Sequence, residues 1–361
     1  MKNKYYSLDR IKKVQAHYKM LLGGRNIGKS YATKHDVAQN CFDNNKQFIY
    51  LRRWDEDIRV KNAINYFNDL DVSKITTGQY NEVEILQSKI YFSYRENGKV
   101  TRRHHIGFVH SLNQAERYKS QIFPRVQYII YEEFITDARY LPNEPEQLLE
   151  YVSTIFRERT GVVYMVGNTI SKLCPYFKAW NLDKVLKMKT HDIALFENVT
   201  NVLTDKGDIE LSVKIAVEMC GAESVLSKMA FGSSADMIVK NKWRSRTCPL
   251  LSQATRDECN LMYTLFVICK NLSFRMELLE YKGCIFWYVK PQTKTLENMQ
   301  ELRIVSDKTS MYPLHTSGFN PITEREARAF RLIKDKKIYY CSNSVGSDFE
   351  QVLRDFRIMV F

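Results

Sequence analysis

The residues Gly23-Gly24-Arg25-Asn26-Ile27-Gly28-Lys29-Ser30 fit the pattern G-x-x-x-x-G-K-[ST], the Walker A spacing of a loop that wraps a polyphosphate. Its glycines let the backbone turn N–H groups inward around an anion, and a helix opening near Lys29 adds the positive end of its dipole. Lys29 is expected to reach the β/γ-phosphates of ATP, and Ser30 to ligate Mg²⁺. A second constellation lies at Val126-Gln127-Tyr128-Ile129-Ile130-Tyr131-Glu132-Glu133, an apolar run that ends in two carboxylates in the Walker B layout. Glu132 is expected in the Mg²⁺ shell, and Glu133 as the base that polarises the attacking water. The first of these positions is usually Asp, so Glu132 must retract its longer side chain or meet the metal through water. Val162-Val163-Tyr164-Met165-Val166-Gly167-Asn168 ends in an amide. Asn168 can bond the γ-phosphate or the lytic water; equally it can cap a turn, which Ser171 and Pro175 downstream would suit.

These groups need a frame that brings strand ends together. Residues 17–200 alternate short apolar runs with helix-period segments, the pattern of βα units around a largely parallel sheet. The expected strands are Tyr18–Leu22, Phe48–Arg52, Ile106–Phe108, Val126–Tyr131 and Val162–Val166. Tyr18–Leu22, Val126–Tyr131 and Val162–Val166 carry chemistry just past their C-terminal ends, the edge where open α/β sheets bind ligands. A catalytic strand between the loop strand and its neighbour, a dedicated glutamate and a sensor strand make the additional-strand, catalytic-glutamate class of P-loop ATPase. From Phe196 to Arg246 the texture turns mixed and polar, with an amphipathic helix expected at Leu211–Lys228. Strand patterns return at Met262–Cys269, Phe274–Tyr281, Cys284–Val289 and Leu302–Ser306, with a tight turn at Lys282–Gly283, and helices are expected at Ile322–Leu332 and Asp348–Ile358. The organisation expected is an ATPase domain over 1–197, a helical linker over 198–246 and a smaller α+β domain over 247–361.

Composition narrows the partners. With 54 Lys and Arg against 41 Asp and Glu, the 361-residue chain carries a formal charge of +13, which points to a polyanion. Residues 247–361 hold 16 basic and 13 acidic side chains, so the excess lies mostly upstream. At 44% hydrophobic and 26% charged the chain reads as globular. The eight cysteines show no CxxC pair, which argues against zinc, and no apolar run approaches the roughly 20 residues of a membrane span. A soluble, unexported protein with reduced cysteines is expected.

Together these motifs resemble the DNA-packaging ATPases of phi29-like bacteriophages. The resemblance rests on Gly28-Lys29-Ser30-Tyr31-Ala32, Phe48-Ile49-Tyr50-Leu51-Arg52-Arg53, Tyr66-Phe67-Asn68-Asp69, Glu133-Phe134-Ile135, Leu141-Pro142-Asn143-Glu144, Phe156-Arg157-Glu158-Arg159, and Asn168 to Ser171 leading into Pro175-Tyr176-Phe177. It covers residues 15–185 clearly and the remainder weakly. It implies a homomeric ring, pentameric in the best-known member, at the portal vertex of an empty capsid in the host cytoplasm, which pumps double-stranded DNA inside, in some cases with a structural RNA. It also implies two basic residues that serve the neighbouring subunit's nucleotide. They fall on Lys119 and Arg157, with Arg159 as the substitute for the second.

In related motors the last domain has an RNase H-like nuclease fold, and two-metal cutting needs clustered carboxylates. The run Met262-Tyr263-Thr264-Leu265-Phe266-Val267-Ile268-Cys269 contains none, and the next two strands offer only Glu277 and Glu280. A vestigial nuclease that binds DNA or the portal assembly without cutting is expected. A terminase with a live nuclease and a nucleotide-gated DNA-binding scaffold with weak hydrolysis are the alternatives.

Overall fold

A computed structural model describes residues 5–137, 139–204, 207–221, 243, 247–269, 272–292, 303–305, 315–317 and 323–355. The chain divides into two compact units. The first holds residues 1–170, 179–229 and 237–242; the second holds 171–178, 230–236 and 243–361.

The first unit is built on nine strands: β1 Tyr18–Gly23, β2 Gln47–Arg52, β3 Glu82–Leu86, β4 Lys89–Glu96, β5 Lys99–Ser111, β6 Val126–Glu132, β7 Val162–Asn168, β8 Ile193–Thr204 and β9 Gly207–Met219. They are ordered β3-β4-β5-β2-β6-β7-β1-β9-β8. The strands from β5 to β9 in that order are parallel, and antiparallel hairpins close both edges. Central strands of such a sheet are covered on both faces and read as unbroken apolar runs. β1 is buried along its whole length. Helices α1 (Lys29–Asp43) and α2 (Val60–Phe67) bury Val37, Ala38, Cys41, Ala63 and Phe67 against Leu21, Phe48, Tyr50, Ile130 and Val166. The short helix α3 spans Val72–Ile75, and α4 spans Glu144–Phe156.

Two expectations change here. The strand inserted between β1 and the acidic strand β6 is β7, which carries Asn168, so β6 is one place removed from the loop strand. The helix expected at Leu211–Lys228 is not formed over its described part, since residues up to Met219 belong to β9, paired with β1 from Tyr18↔Ile215 to Leu22↔Met219. Leu211, Val213, Ile215, Val217 and Met219 recur with a period of two, the signature of a strand. The helical linker expected over 198–246 therefore begins instead as the β8–β9 hairpin of the first sheet; residues 222–242 and 244–246 lie outside the described residues. The β3–β4 hairpin was not expected, although Val83 and Ile85, then Ile90 and Phe92, recur with a period of two on either side of the Gln87-Ser88 turn.

In the second unit, β10 (Asn260–Cys269), β11 (Leu272–Tyr281) and β12 (Cys284–Pro291) are antiparallel. β13 (Arg303–Val305), β14 (His315–Ser317) and β15 (Ile338–Tyr340) complete the order β14-β13-β10-β11-β12-β15. Helix α5 (Pro175–Ala179) ends at the boundary of the units, and α6 spans Gln253–Asp257. Helices α7 (Glu324–Lys334) and α8 (Asn343–Asp355) bury Phe330, Ile333, Phe349, Val352 and Leu353 against Leu265, Val267, Met276, Trp287 and Val289. Glu277 is fully buried on the other face, where Arg256, Arg275 and Lys290 approach its oxygens at 2.8–2.9 Å. Glu280 is three residues along the strand, hence on the opposite face. It accepts from Asn260 and from the Gly283 backbone N–H.

Candidate active site

β1 ends at a glycine that has no room for a side chain. A Cβ on Gly23 would meet the Cys220 carbonyl oxygen at 2.7 Å, because the chain beyond β9 passes directly beside the loop. Gly28 caps α1 at φ +93°, a left-handed conformation that glycine adopts without steric cost. Between them Ile27 turns inward and is buried, while its carbonyl accepts the Tyr6 N–H at 2.8 Å. Residues 5 and 6 thus brace the loop from outside it, a contact that no motif announces.

Lys29 opens α1 with its side chain folded back into the loop. Its Nζ donates to the carbonyls of Gly23 at 3.2 Å and Gly24 at 2.6 Å, and to Asn168 Oδ1 at 3.1 Å. Burial pushes the Lys29 amine down to about 8, and the nearby Glu132 carboxylate opposes that shift. Asn168 is thereby engaged with the loop lysine, across the β1–β7 pair that sets Gly23 opposite Asn168.

The two carboxylates face different surroundings. Glu132 is buried; its Oε2 accepts from Ser30 Oγ at 3.2 Å and its Oε1 from Tyr66 OH at 2.8 Å. Burial raises the Glu132 carboxyl above its ordinary range, and the two hydroxyl donors work against that rise. Glu133 stands at φ +56°, and its Oε2 accepts from the Arg52 guanidinium at 2.6 Å. Behind it, Arg53 donates to the backbone carbonyls of Glu133 at 3.2 Å and Phe134 at 2.7 Å, while paired with the buried Glu144 at 2.7 and 3.0 Å. Tyr131 OH and the Leu141 N–H also donate to Glu144. This buried pair fixes the unusual backbone on which Glu133 sits.

Residues Arg25 to Tyr31 line a cleft of about 330 Å³, together with Glu133 and Asn168. Of these, Lys29 is bonded to the Gly23 and Gly24 carbonyls and Ser30 to Glu132. The donor set offered to a metal is one hydroxyl and one carboxylate. That suits Mg²⁺, which keeps several waters and takes phosphate oxygens in place of a full protein cage. Among the described residues there is no cluster of three His, Cys, Asp or Glu side chains able to hold a metal alone.

Lys119 and Arg157 are not brought to this cleft. Lys119 pairs with Glu116 at 2.6 Å and approaches Glu150 of α4 at 3.9 Å. Arg157, just past α4, donates to the Gln121 carbonyl at 3.2 Å. Arg159 is more deeply committed, with bonds to the carbonyls of Phe123, Pro124, Val126 and Ile155. Four of these anchors, Gln121, Phe123, Pro124 and Val126, lie just before or at the start of β6, and Glu132 lies at its end, about 20 Å along the strand at ~3.3 Å per residue. Tyr31, Arg52 and Tyr66 are the site residues that sequence reasoning missed. Arg52 reaches its carboxylate through the pairing of β2 with β6, and Tyr66 through the packing of α2, neither of which a spacing in the chain encodes.

A glycine-lined loop between a buried strand and a helix, and an acidic strand one place away across a polar-ended strand, define a P-loop ATPase fold with an additional strand. The chain belongs to the Podovirus DNA encapsidation protein (Gp16) family, whose profile matches residues 1–211. The DNA packaging protein of Bacillus phage phi29 is 29% identical over 202 residues, 54% of this chain and 56% of that one. The DNA packaging protein of Bacillus phage B103 is 32% identical over 166 residues, 45% of this chain and 47% of that one. The chain thus spans about half the length of the curated relatives it matches. In fold it is similar to a chain of the bacteriophage phi29 viral genome packaging motor assembly, at 17% identity and a TM-score of 0.58 over 98% of this chain and 100% of that one.

Proposed function

We propose that this chain is the ATP-hydrolysing subunit of a phage motor that drives double-stranded DNA into a capsid. The observation that carries the reading is the Lys29 ammonium, buried in the loop on neutral acceptors and beside Ser30 and Glu132. A triphosphate entering the cleft gives Lys29 an anion to bond in place of the neutral oxygens it now meets, while the loop N–H groups and the opening of α1 take the β-phosphate. Mg²⁺, held through Ser30 and Glu132, would neutralise charge developing on the phosphate oxygens. Glu133, already lining the cleft, orients water for in-line attack once its carboxylate leaves Arg52, and Asn168 meets the γ-phosphate when Lys29 does.

Lys119 and Arg157 complete the reading as groups that serve a neighbour's nucleotide in a homomeric ring, pentameric by resemblance, at the procapsid portal in the host cytoplasm, with or without a structural RNA. Arg157 is favoured over Arg159, because Arg159 is tied to four backbone carbonyls and Arg157 to one. In the second unit, three antiparallel strands with two parallel strands beside the first suit an RNase H-like arrangement. The cations around Glu277 support the view that it no longer cuts.

The test is ATP turnover by the assembled protein on empty capsids, with DNA uptake scored alongside, over a salt series. Turnover that rises with duplex DNA, and a grip that weakens steeply with salt without sequence preference, are expected. Hydrolysis indifferent to DNA would favour the scaffold reading, and cleavage of plasmid DNA with Mn²⁺ would favour a live nuclease.

A further inference from the structure

The chain carries glutamate where the metal-side carboxylate is usually aspartate, and an extra methylene gives that carboxylate more rotamers to choose from. The structure shows what restrains it. Tyr66, near the end of α2, donates its hydroxyl to Glu132 Oε1 at 2.8 Å, while Ser30 Oγ donates to Oε2 at 3.2 Å. The phenol is itself held on several sides. Its ring stacks on Tyr50 with centroids 4.3 Å apart and planes 22° apart. The Lys34 ammonium lies 4.4 Å from the ring centroid, donates to the Tyr66 backbone carbonyl and pairs with Asp69. Lys34 belongs to α1, the helix that begins with Lys29 and Ser30. The same helix therefore positions the phosphate loop and the residue that holds the carboxylate.

We propose that Tyr66 is a positioning residue that adapts a glutamate to this site, by holding Glu132 Oε1 so that Oε2 alone is presented beside Ser30 to a divalent cation. The inference rests on reading the cleft as a nucleotide and metal site. Tyr66→Phe keeps the ring and its stack and removes only the donor, so it separates the hydroxyl from the packing.

The measurement is Mn²⁺ affinity by electron paramagnetic resonance, with a non-hydrolysable ATP analogue saturating the full-length protein. Partners that orient a metal ligand typically contribute 10- to 100-fold in metal affinity, and a loss of about that size is expected for Tyr66→Phe. In a Glu132→Asp background the shorter side chain does not reach the hydroxyl, so adding Tyr66→Phe should change Mn²⁺ affinity by less than about twofold. Lys34→Met gives a second reading: it removes the contacts behind the ring, leaves the hydroxyl in place, and should cost severalfold, an effect again erased by Glu132→Asp. Unchanged affinity in Tyr66→Phe, or an equal loss in both backgrounds, overturns the role of Tyr66 and leaves the nucleotide reading standing. A wild-type protein without nucleotide-dependent Mn²⁺ binding overturns both.

Discussion

Lys29 and Glu133 line the same cleft, and their substitutions should fail in different ways. Lys29→Ala removes the buried loop cation that reaches the β/γ-phosphates and leaves only Arg25 in the loop, so nucleotide binding itself should be lost, as seen by equilibrium binding of a fluorescent ATP analogue. Glu133→Gln keeps shape but cannot activate water, so ATP should stay bound while turnover falls by two orders of magnitude or more. If Glu132→Gln produces that phenotype and Glu133→Gln does little, the two carboxylates have exchanged roles. At this scale the sequence was informative about the loop and the acid pair because both are contiguous stretches whose spacing is set by one strand and one turn. It said nothing of Arg52 as the partner of Glu133 or of Tyr66 as the partner of Glu132. Those pairings depend on β2 lying beside β6 and on α2 reaching over the sheet, which are products of tertiary packing.

Among elements, the end of β5 is fastened to its surroundings by one histidine. His110 is buried, stacks on Tyr118 with centroids 3.7 Å apart and planes 9° apart, and shares a 2.7 Å hydrogen bond between Nδ1 and Tyr151 OH of α4. Burial pushes its imidazole down to about 3. The folded state therefore holds His110 neutral while the unfolded chain takes up a proton below about 6.5, so stability is complete above that value and drains away as pH falls toward 3. Between pH 7 and pH 5 this one residue should account for about 2 kcal/mol. Urea unfolding of the first unit at the two pH values should show a loss smaller by about that amount in His110→Gln. The stack ties Tyr118, and with it Lys119, to β5 and α4. The central strands of the sheet were legible from their apolar runs. β9 was legible as well, in the period-two alternation from Leu211 to Met219, but that alternation stops short of the expected helix end at Lys228, and the helix expected there overrode it.

For the whole molecule, the separation of Lys119 and Arg157 from their own cleft gives the assembly reading a sharp consequence. If the two act across a subunit boundary, Arg157→Ala spoils the neighbour's site and leaves its own machinery intact. Mixed with Glu133→Gln, which is inert at home yet carries a good Arg157, it should recover part of the activity. An arginine finger is worth about a thousandfold or more in rate, so even partial rescue is measurable. Additive loss in rings shown to be mixed would place Arg157 in its own site or in the scaffold.

The order of the sheet also bears on when the phosphate loop comes into being. β1 pairs with β7 through Tyr18↔Val163 and with β9 through Tyr18↔Ile215, so its two neighbours are synthesised long after it. At about 5–20 residues per second, β9 follows β1 from the ribosome by roughly 10–40 s. Throughout that interval the first motif of the chain has no strand on one side and no Cys220 carbonyl beside Gly23. A fragment ending at residue 197 carries every motif residue, yet it exposes β1 as a sheet edge. Such a fragment should bind the fluorescent ATP analogue at least tenfold more weakly than one ending at residue 221, and the nascent chain should acquire nucleotide affinity only after β9 has emerged.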